Sequence, residues 1–365
     1  MEAAVQSRER LFSLDLLRGL DMFLLCAVGP VVGACHQVWG LPDVVWRQFY
    51  HTWGTFGLWD IIMPLFIFMC GAAVPLALPR RMEDGRAGRR YWGHVASRVA
   101  LLWVLGLVAQ GNLLTLDGAR ITLFDNTLQA IAVGYAVAAL AQAYCTPRVR
   151  RWLPFVLTVA YAIPLALGGD YTESGNFAYR AEEWIVSVLP FLGVREDRFY
   201  TWYLTSLMFG AMTLFGAQAT AILRSPRTPR DKAARLAGYG AALLAAGWAL
   251  VPVVPSVKHI YTASFTLQAV GWSMLAYAAL FVLTDIWKLR RGLGVFLLYG
   301  QCALFVYMCT ETVLWGAFVA LAKALTFGLP HLFGGERYMP LVVNAVAVAA
   351  VAVVTHHYRK SKCTR

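Results

Sequence analysis

Residues 51–71 read HTWGTFGLWDIIMPLFIFMCG, and they set polar residues directly ahead of a long apolar run. That run, from Ile61 to Leu78, contains Pro64 and Pro75. Proline breaks a soluble helix, but it is tolerated in a transmembrane helix whose neighbours satisfy the freed backbone groups. The stretch therefore predicts a membrane-spanning helix with an ionisable entrance.

The entrance carries two tryptophans, Trp53 and Trp59, beside His51 and Asp60. Tryptophan is enriched where the apolar core of a membrane meets water, because its ring is amphipathic. We therefore expect His51 at or just outside the membrane surface, with Asp60 at the head of the helix.

The composition of the whole chain agrees with a membrane protein. Of its 365 residues, 59% are hydrophobic and 14% are charged, whereas a soluble domain carries about 25% charged residues. The net charge of +12 comes from short basic clusters between apolar runs. That arrangement is typical of the positive-inside rule and argues against nucleic acid as a partner.

The seven cysteines are scattered, so they do not predict a disulfide framework. The seven histidines lack the spacing of metal-ligand motifs, so they do not predict a metal site.

Apolar stretches close to the roughly 20 residues that cross a bilayer predict an all-α, polytopic protein with ten spans. The expected spans are 14–34, 57–78, 92–113, 122–144, 150–168, 200–223, 233–253, 262–286, 293–312 and 338–357. The apolar segment Leu314 to Leu329 is an eleventh span or a re-entrant or tilted extension of the ninth. We treat residues 1–365 as one membrane domain.

The basic clusters favour ten spans with both termini on the inner side. This topology leaves few basic residues outside, namely Arg47, Arg120, Arg180, Arg195, Arg198, Lys258 and Arg337. An eleventh span would place the basic tail RKSKCTR outside, against the positive-inside rule. His51 and Lys258 then face the outer side of the membrane.

Three charges fall inside the first span, Asp15, Arg18 and Asp21, at spacings that bring neighbours together on a helix. Charges within hydrocarbon are costly and usually functional. Asp15 and Arg18 are equally well explained as a pair at the interface, with the arginine reaching the headgroups. Asp21 lies deeper in the span than this pair, so the same explanation fits it less well.

Other polar residues occur within later spans, and some of them are expected only to bond between helices: Asn126, Gln129, Gln218, Gln268, Gln301, Glu311 and Asn344.

Several motifs together resemble the transmembrane acyltransferases related to heparan-alpha-glucosaminide N-acetyltransferase. They are SLDLLRG at 13–19, the pattern of His51, Trp53, Asp60, Pro64 and Gly71, NTLQAIA at 126–132, YTWYLTSL at 200–207 and PSVKHIYTASF at 255–265. The resemblance covers nearly the whole chain. The RGLDMF variant, residues 18–23, resembles a bacterial subgroup, which implies an inner-membrane location.

The resemblance implies acetyl transfer from cytosolic acetyl-CoA to the amine of a glucosamine-type sugar on the outer side, by a homodimer. His51 matches the family's catalytic histidine, either as an acetylated intermediate or as a general base, and Asp60 is expected to assist it. We assign Arg18, Asp21 and Gln129 as candidate contacts of acetyl-CoA, and Trp53 and Lys258 as candidate contacts of the sugar. The basic loop Arg80 to Arg90 either meets the CoA phosphates or only sets topology.

One position departs from the family pattern. Human-type members carry an asparagine implicated in catalysis about ten residues after the R-G motif, and Gly29 stands there in this chain. The role of that asparagine is absent or reassigned.

Two other functions fit a polar helical bundle of this kind, a transporter of amino sugars or N-acetylhexosamines and an O-acyltransferase of cell-envelope glycans.

Overall fold

The structure is a computed structural model that describes residues 11–111, 123–192, 202–332 and 336–363. These residues form helices joined by turns, with no strand among them. Some predicted features lie outside the described residues, namely the basic residues Arg8, Arg10, Arg120, Arg195 and Arg198 and the motif residues Tyr200 and Thr201. The all-α prediction is confirmed.

Sixteen α-helices are described, numbered α1 to α16 in chain order. The first eight are Phe12–Phe23, Gly29–Trp39, Asp43–Trp46, Ile62–Ala77, Arg89–Ala109, Thr127–Tyr144, Pro147–Leu167 and Phe177–Val188. The last eight are Trp202–Leu223, Pro229–Leu250, Ala263–Phe281, Gly294–Gln301, Ala303–Thr310, Leu314–Thr326, Leu329–Leu332 and Met339–Cys363. A π-helical turn at Leu24–Val28 joins α1 to α2 in one long span, and a second π-helical turn at Val282–Ile286 extends α11.

Side-chain caps and prolines define where several spans begin. The Asn126 side chain accepts a hydrogen bond from the Leu128 amide, 2.8 Å away, at the start of α6. Thr146 and Thr228 cap α7 and α10, and each is followed by a proline at the first helical position. Proline suits that position because its missing N–H has no partner within the helix. These local signals agree with the predicted spans to within a few residues.

Two close helix crossings hold the centre of the bundle together. Helix α4 crosses α9 where Gly71 meets Thr213 and Gly216 meets Phe68, and a Cβ at Gly71 would lie 1.8 Å from the Thr213 carbonyl oxygen. Helix α1 crosses α12 in the same way at Gly19. Small residues let transmembrane helices approach closely enough for strong van der Waals packing. Helices α1, α4, α9 and α11 therefore form the core, and α5, α7, α10 and α16 lie at the periphery.

Nine helices of the described residues are long and apolar enough to cross a membrane, or ten if a bent pair counts as one span. The bent pair is α13 and α14, which meet at an angle of 70°. Helix α14 has 13 residues, about 20 Å at 1.5 Å per residue, so it is too short to cross the roughly 30 Å of hydrocarbon alone. The predicted continuous ninth span over 293–312 is instead broken at Cys302. The chain is a multi-pass membrane protein.

The connections divide the bundle into two ends. His51, the start of α4 and the loop between α10 and α11 meet at one end, which we call the His51 end. The end of α4, the start of α7 and the start of α10 lie at the other, together with most of the described arginines and lysines, and we call it the basic end.

Candidate active site at the His51 end

The loop that carries His51 is closed by backbone hydrogen bonds. The Trp59 amide donates to the Gln48 carbonyl oxygen over 2.8 Å, and the Leu58 amide donates to the Gln48 side chain over 3.1 Å. A short helical turn, Leu58–Ile61, then leads into α4 and places Asp60 at its head. One Asp60 carboxylate oxygen accepts a hydrogen bond from the Gly57 amide over 2.8 Å. The carboxylate is thus held in a fixed orientation.

Asp60, His51 and Lys258 form a connected triad. Oδ1 of Asp60 lies 2.6 Å from Nδ1 of His51. Nζ of Lys258 lies 2.8 Å from Nε2 and 3.0 Å from Nδ1 of His51, and 3.7 Å from Oδ1 of Asp60. The side chains of Asp60 and Lys258 are 1% and 4% exposed, and that of His51 is 28% exposed. The buried partners thus hold a histidine that remains accessible.

These contacts define the proton positions. A carboxylate only accepts, so Nδ1–H of His51 donates to Asp60 and the lone pair lies on Nε2. Burial lowers the pKa of His51 below its ordinary value, Asp60 opposes that shift, and the Lys258 charge adds to it. Burial also lowers the pKa of Lys258, to about 8, against the attraction of Asp60. At neutral pH the triad therefore contains a neutral imidazole beside a lysine ammonium.

Lys258 reaches His51 because the loop between α10 and α11 folds back over the helix ends. The Val257 amide donates to the Thr262 hydroxyl over 3.0 Å, and the Ser256 hydroxyl donates to Gln268 over 2.7 Å. Tyr261 follows in a left-handed backbone conformation with φ of 46°. Tyr161 donates a hydrogen bond to the Ile260 carbonyl oxygen. These hydrogen bonds hold the loop against α7 and α11, and they thereby fix the position of Lys258.

Trp53 and His259 form an aromatic surface next to the triad. Their rings are nearly parallel, with centroids 5.1 Å apart, and the His259 ring stands 6.4 Å from the His51 ring. The Trp53 indole N–H donates to the Tyr171 carbonyl oxygen over 2.9 Å, which fixes the ring. Such flat surfaces suit the apolar face of a sugar ring.

A cavity of about 380 Å³ opens beside the triad, within the size range of small-molecule sites. His51 and Lys258 line it together with polar residues at or just before the start of α6 and within or just after α13: Asp125, Asn126, Thr127, Tyr307 and Glu311. The sequence marks Glu311 only as a polar residue within a span, and it marks Asn126 both as such a residue and as part of the NTLQAIA motif. Asp125 and Tyr307 gave no signal, because only the folded bundle brings them opposite His51.

The candidate contacts of acetyl-CoA lie apart from the triad. Arg18 pairs with Asp15, their charged atoms 3.6 Å apart. Asp21 is 1% exposed, and neither of its carboxylate oxygens has a hydrogen-bond partner among the described residues. The expected Arg18–Asp21 pair is therefore not formed. Gln129 accepts from the Asp125 amide over 2.7 Å and donates to the Leu123 carbonyl oxygen over 2.9 Å, so its amide is engaged by backbone.

Gly29 lies directly against the cavity wall. A Cβ at this position would stand 2.8 Å from the indole of Trp59, which lines the cavity. A larger side chain at position 29 requires the tryptophan to move. The bulky indole thus fills the space next to the position where members of the family that the sequence motifs resemble carry asparagine.

No cluster of potential metal ligands occurs among the residues that the structure describes. No protein-family model matches the chain, and no curated protein matches it either.

Proposed function

We propose that the protein is a transmembrane acetyltransferase that moves an acetyl group from acetyl-CoA to the amine of a glucosamine-type sugar at the His51 end. The observation that carries the proposal is the triad of Asp60, His51 and Lys258 at the mouth of a cavity. A neutral imidazole oriented by a carboxylate is a general base suited to neutral pH. The motifs that resemble heparan-alpha-glucosaminide N-acetyltransferase point to the same chemistry.

The proposed step joins the sugar nitrogen to the acetyl carbonyl carbon. The C–N bond forms as the C–S bond of the thioester breaks, and the sulfur leaves as the CoA thiolate. Nε2 of His51 takes the proton that the amine loses and passes it to the sulfur. Acetyl-CoA and a primary amine thereby become an N-acetyl sugar and CoA thiol. A two-step route, with the acetyl group held briefly on Nε2, uses the same atoms of the protein.

Lys258 and Asp60 have separate roles in this step. The Lys258 ammonium lies within hydrogen-bond distance of His51, where it can stabilise the oxyanion that develops on the thioester carbonyl. Fixed donors aimed at developing charge are usually the largest single contribution to catalysis. Asp60 holds the imidazole in the tautomer with Nδ1–H and stabilises the imidazolium that forms.

The sugar and the cosubstrate approach from different directions in this proposal. The stacked rings of Trp53 and His259 receive the sugar next to the triad. The pantetheine arm of acetyl-CoA reaches the cavity between the spans, past the buried carboxylate of Asp21 in α1. That carboxylate lacks a hydrogen-bond partner among the described residues, so it is available to the polar amides of the arm.

The experiment that tests the proposal compares three forms of the purified protein in lipid vesicles. We expect wild type to convert glucosamine and acetyl-CoA to N-acetylglucosamine and CoA, measured by mass spectrometry and by thiol release. His51→Ala should lose at least 10²-fold in rate, the low end of what general-base catalysis contributes. His357→Ala, an exposed histidine of α16, should retain the wild-type rate.

Two results would count against the proposal. Full turnover by a correctly folded His51→Ala protein would remove the assigned base. Movement of labelled hexosamine across the vesicle without acetyl-CoA, and without CoA release, would instead support the transporter.

A further inference from the structure

A second and larger cavity lies at the basic end of the bundle. It has a volume of about 820 Å³ between the ends of α4, α6 and α9 and the starts of α7 and α10. We call it the arginine cavity, because four arginines line it: Arg150, Arg151, Arg227 and Arg235. It shares no lining residue with the cavity beside His51.

The charge of the arginine cavity is not compensated by the protein. Its lining contains no aspartate or glutamate. None of the four arginines forms an ion pair with another described residue, and only Arg150 uses its guanidinium in a side-chain hydrogen bond, to Gln142. Four arginines around one cavity favour an anion with several oxygen acceptors, above all a phosphate.

The arginines are carried on a fixed framework. The Gln218 side chain donates to the backbone oxygens of Arg150 and Arg151 over 3.1 and 2.9 Å. Tyr239 of α10 donates to the other end of the same amide over 2.8 Å. Helices α7, α9 and α10 are thus tied together beside the cavity, so the backbone that carries Arg150 and Arg151 is held in place before any ligand arrives.

The remainder of the lining is apolar and reaches the lipid-facing surface. Val74, Leu214 and Phe155 contribute to the walls, and Trp152 at the rim is 65% exposed. Further along α7, Val156 and Val159 are also exposed, as expected of a helix that faces lipid. A tryptophan at this level is typical of the membrane–water interface. The cavity therefore offers cations for a charged group and an apolar path for attached chains.

We propose that the arginine cavity binds the headgroup of an anionic phospholipid. Basic pockets between transmembrane helices are a known way of holding such headgroups. A free nucleotide phosphate shares the charge, but it does not account for the exposed tryptophan and the apolar walls at the lipid surface. The proposal does not rest on the acetyltransferase proposal, because the arginine cavity shares no lining residue with the cavity beside His51. Acetyl-CoA also approaches from the basic end in the proposed reaction, so the test includes its nucleotide as a competitor.

The test uses native mass spectrometry of the full-length protein in detergent, with phosphatidylglycerol or phosphatidylcholine added. Wild type should retain phosphatidylglycerol and not phosphatidylcholine. Arg151→Gln with Arg235→Gln should weaken phosphatidylglycerol binding by about 30-fold, since each basic residue near a lipid surface contributes a factor of about five. The control, Arg148→Gln with Arg230→Gln, removes two exposed arginines that do not line the cavity and should bind as wild type does.

Thermal melting without lipid checks that each variant is folded, and Arg227→Gln alone replaces the double variant if that protein fails to fold. A competition arm adds inorganic phosphate or adenosine 3′,5′-bisphosphate, and neither should displace the lipid. Equal losses of phosphatidylglycerol binding in the cavity variant and the control variant would show that only general surface charge matters, and would overturn the proposal. Displacement of the lipid by the nucleotide would overturn it in favour of a soluble phosphate ligand.

Discussion

Nζ of Lys258 lies 2.8 Å from Nε2 of His51, the nitrogen that takes the proton in the proposed transfer. The same Nζ lies 3.0 Å from Nδ1, so the ammonium stands beside the ring between the two nitrogens and is not directed along the Nε2 lone pair. An incoming amine can therefore approach Nε2 while the ammonium meets the thioester oxygen. The protonation states of both residues then govern the rate.

The first prediction concerns the pH dependence of activity. Acid should reduce kcat/KM as His51 becomes protonated, below its ordinary pKa of 6.5, because burial lowers that pKa. Base should reduce it near pH 8, where Lys258 loses its proton. Arginine stays protonated in this range, so a Lys258→Arg variant that retains activity should lack the decline near pH 8. An unchanged basic limb in that variant would contradict the role of the ammonium.

The second prediction concerns stability. The folded protein releases the Lys258 proton near pH 8, whereas an unfolded chain holds it up to about 10.5. Between these values the unfolded state binds more protons, so stability rises with pH, by up to about 3 kcal/mol. Below pH 8 the full cost of the buried ammonium persists. Melting from pH 7.5 to 10.5 should show this rise in wild type relative to Lys258→Met, and parallel curves would contradict it.

The third prediction tests the coupling between Asp60 and Lys258. Asp60→Asn leaves a buried ammonium without its counter-ion, which typically costs about 3–5 kcal/mol. Adding Lys258→Met removes that ammonium, so the double variant should be more stable than Asp60→Asn alone, with a coupling energy of about 1–3 kcal/mol. Chemical denaturation in detergent measures it. Strictly additive effects would show that the two side chains do not interact.

The fourth prediction concerns Gly29. Gly29→Asn introduces a side chain into the space of the Trp59 indole, and overpacking of this kind usually costs about 1–3 kcal/mol. The variant should melt lower and should lose activity because the cavity wall shifts. In a Trp59→Ala background, where the indole is absent, Gly29→Asn should cost less stability than it does in wild type. The same melting assay measures both differences. A Gly29→Asn protein with wild-type melting would show that Trp59 moves freely.

Sequence reasoning predicted the all-α membrane fold because span length and hydropathy are local properties. It also predicted that His51 and Asp60 lie near each other, because they are only nine positions apart in sequence and both stand just ahead of the same apolar helix. The approach of Lys258 to His51 crosses 207 residues, and only the packing of α11 against the core determines it. The sequence predicts Lys258 as a contact of the sugar but not as a contact of His51.

Two features could not be read from hydropathy. The break at Cys302 interrupts an apolar stretch for which composition predicts one continuous span over 293–312. For the segment Leu314 to Leu329, hydropathy leaves an eleventh span and a re-entrant or tilted extension open, and the 70° bend before α14 favours the extension. Gln129 looked like an available polar group within a span, yet its amide satisfies the backbone at the start of α6. Polar residues in a membrane helix serve either packing or function, and their partners in the folded state decide between the two.

The most direct test of the central claim is a two-compartment assay in oriented vesicles. Acetyl-CoA is supplied only at the basic end, and glucosamine only at the His51 end. We expect CoA to be released where acetyl-CoA was added and N-acetylglucosamine to form where glucosamine was added, with neither substrate crossing and with no product in His51→Ala. Product and CoA appearing together on one side, or hexosamine crossing in the absence of acetyl-CoA, would contradict the account.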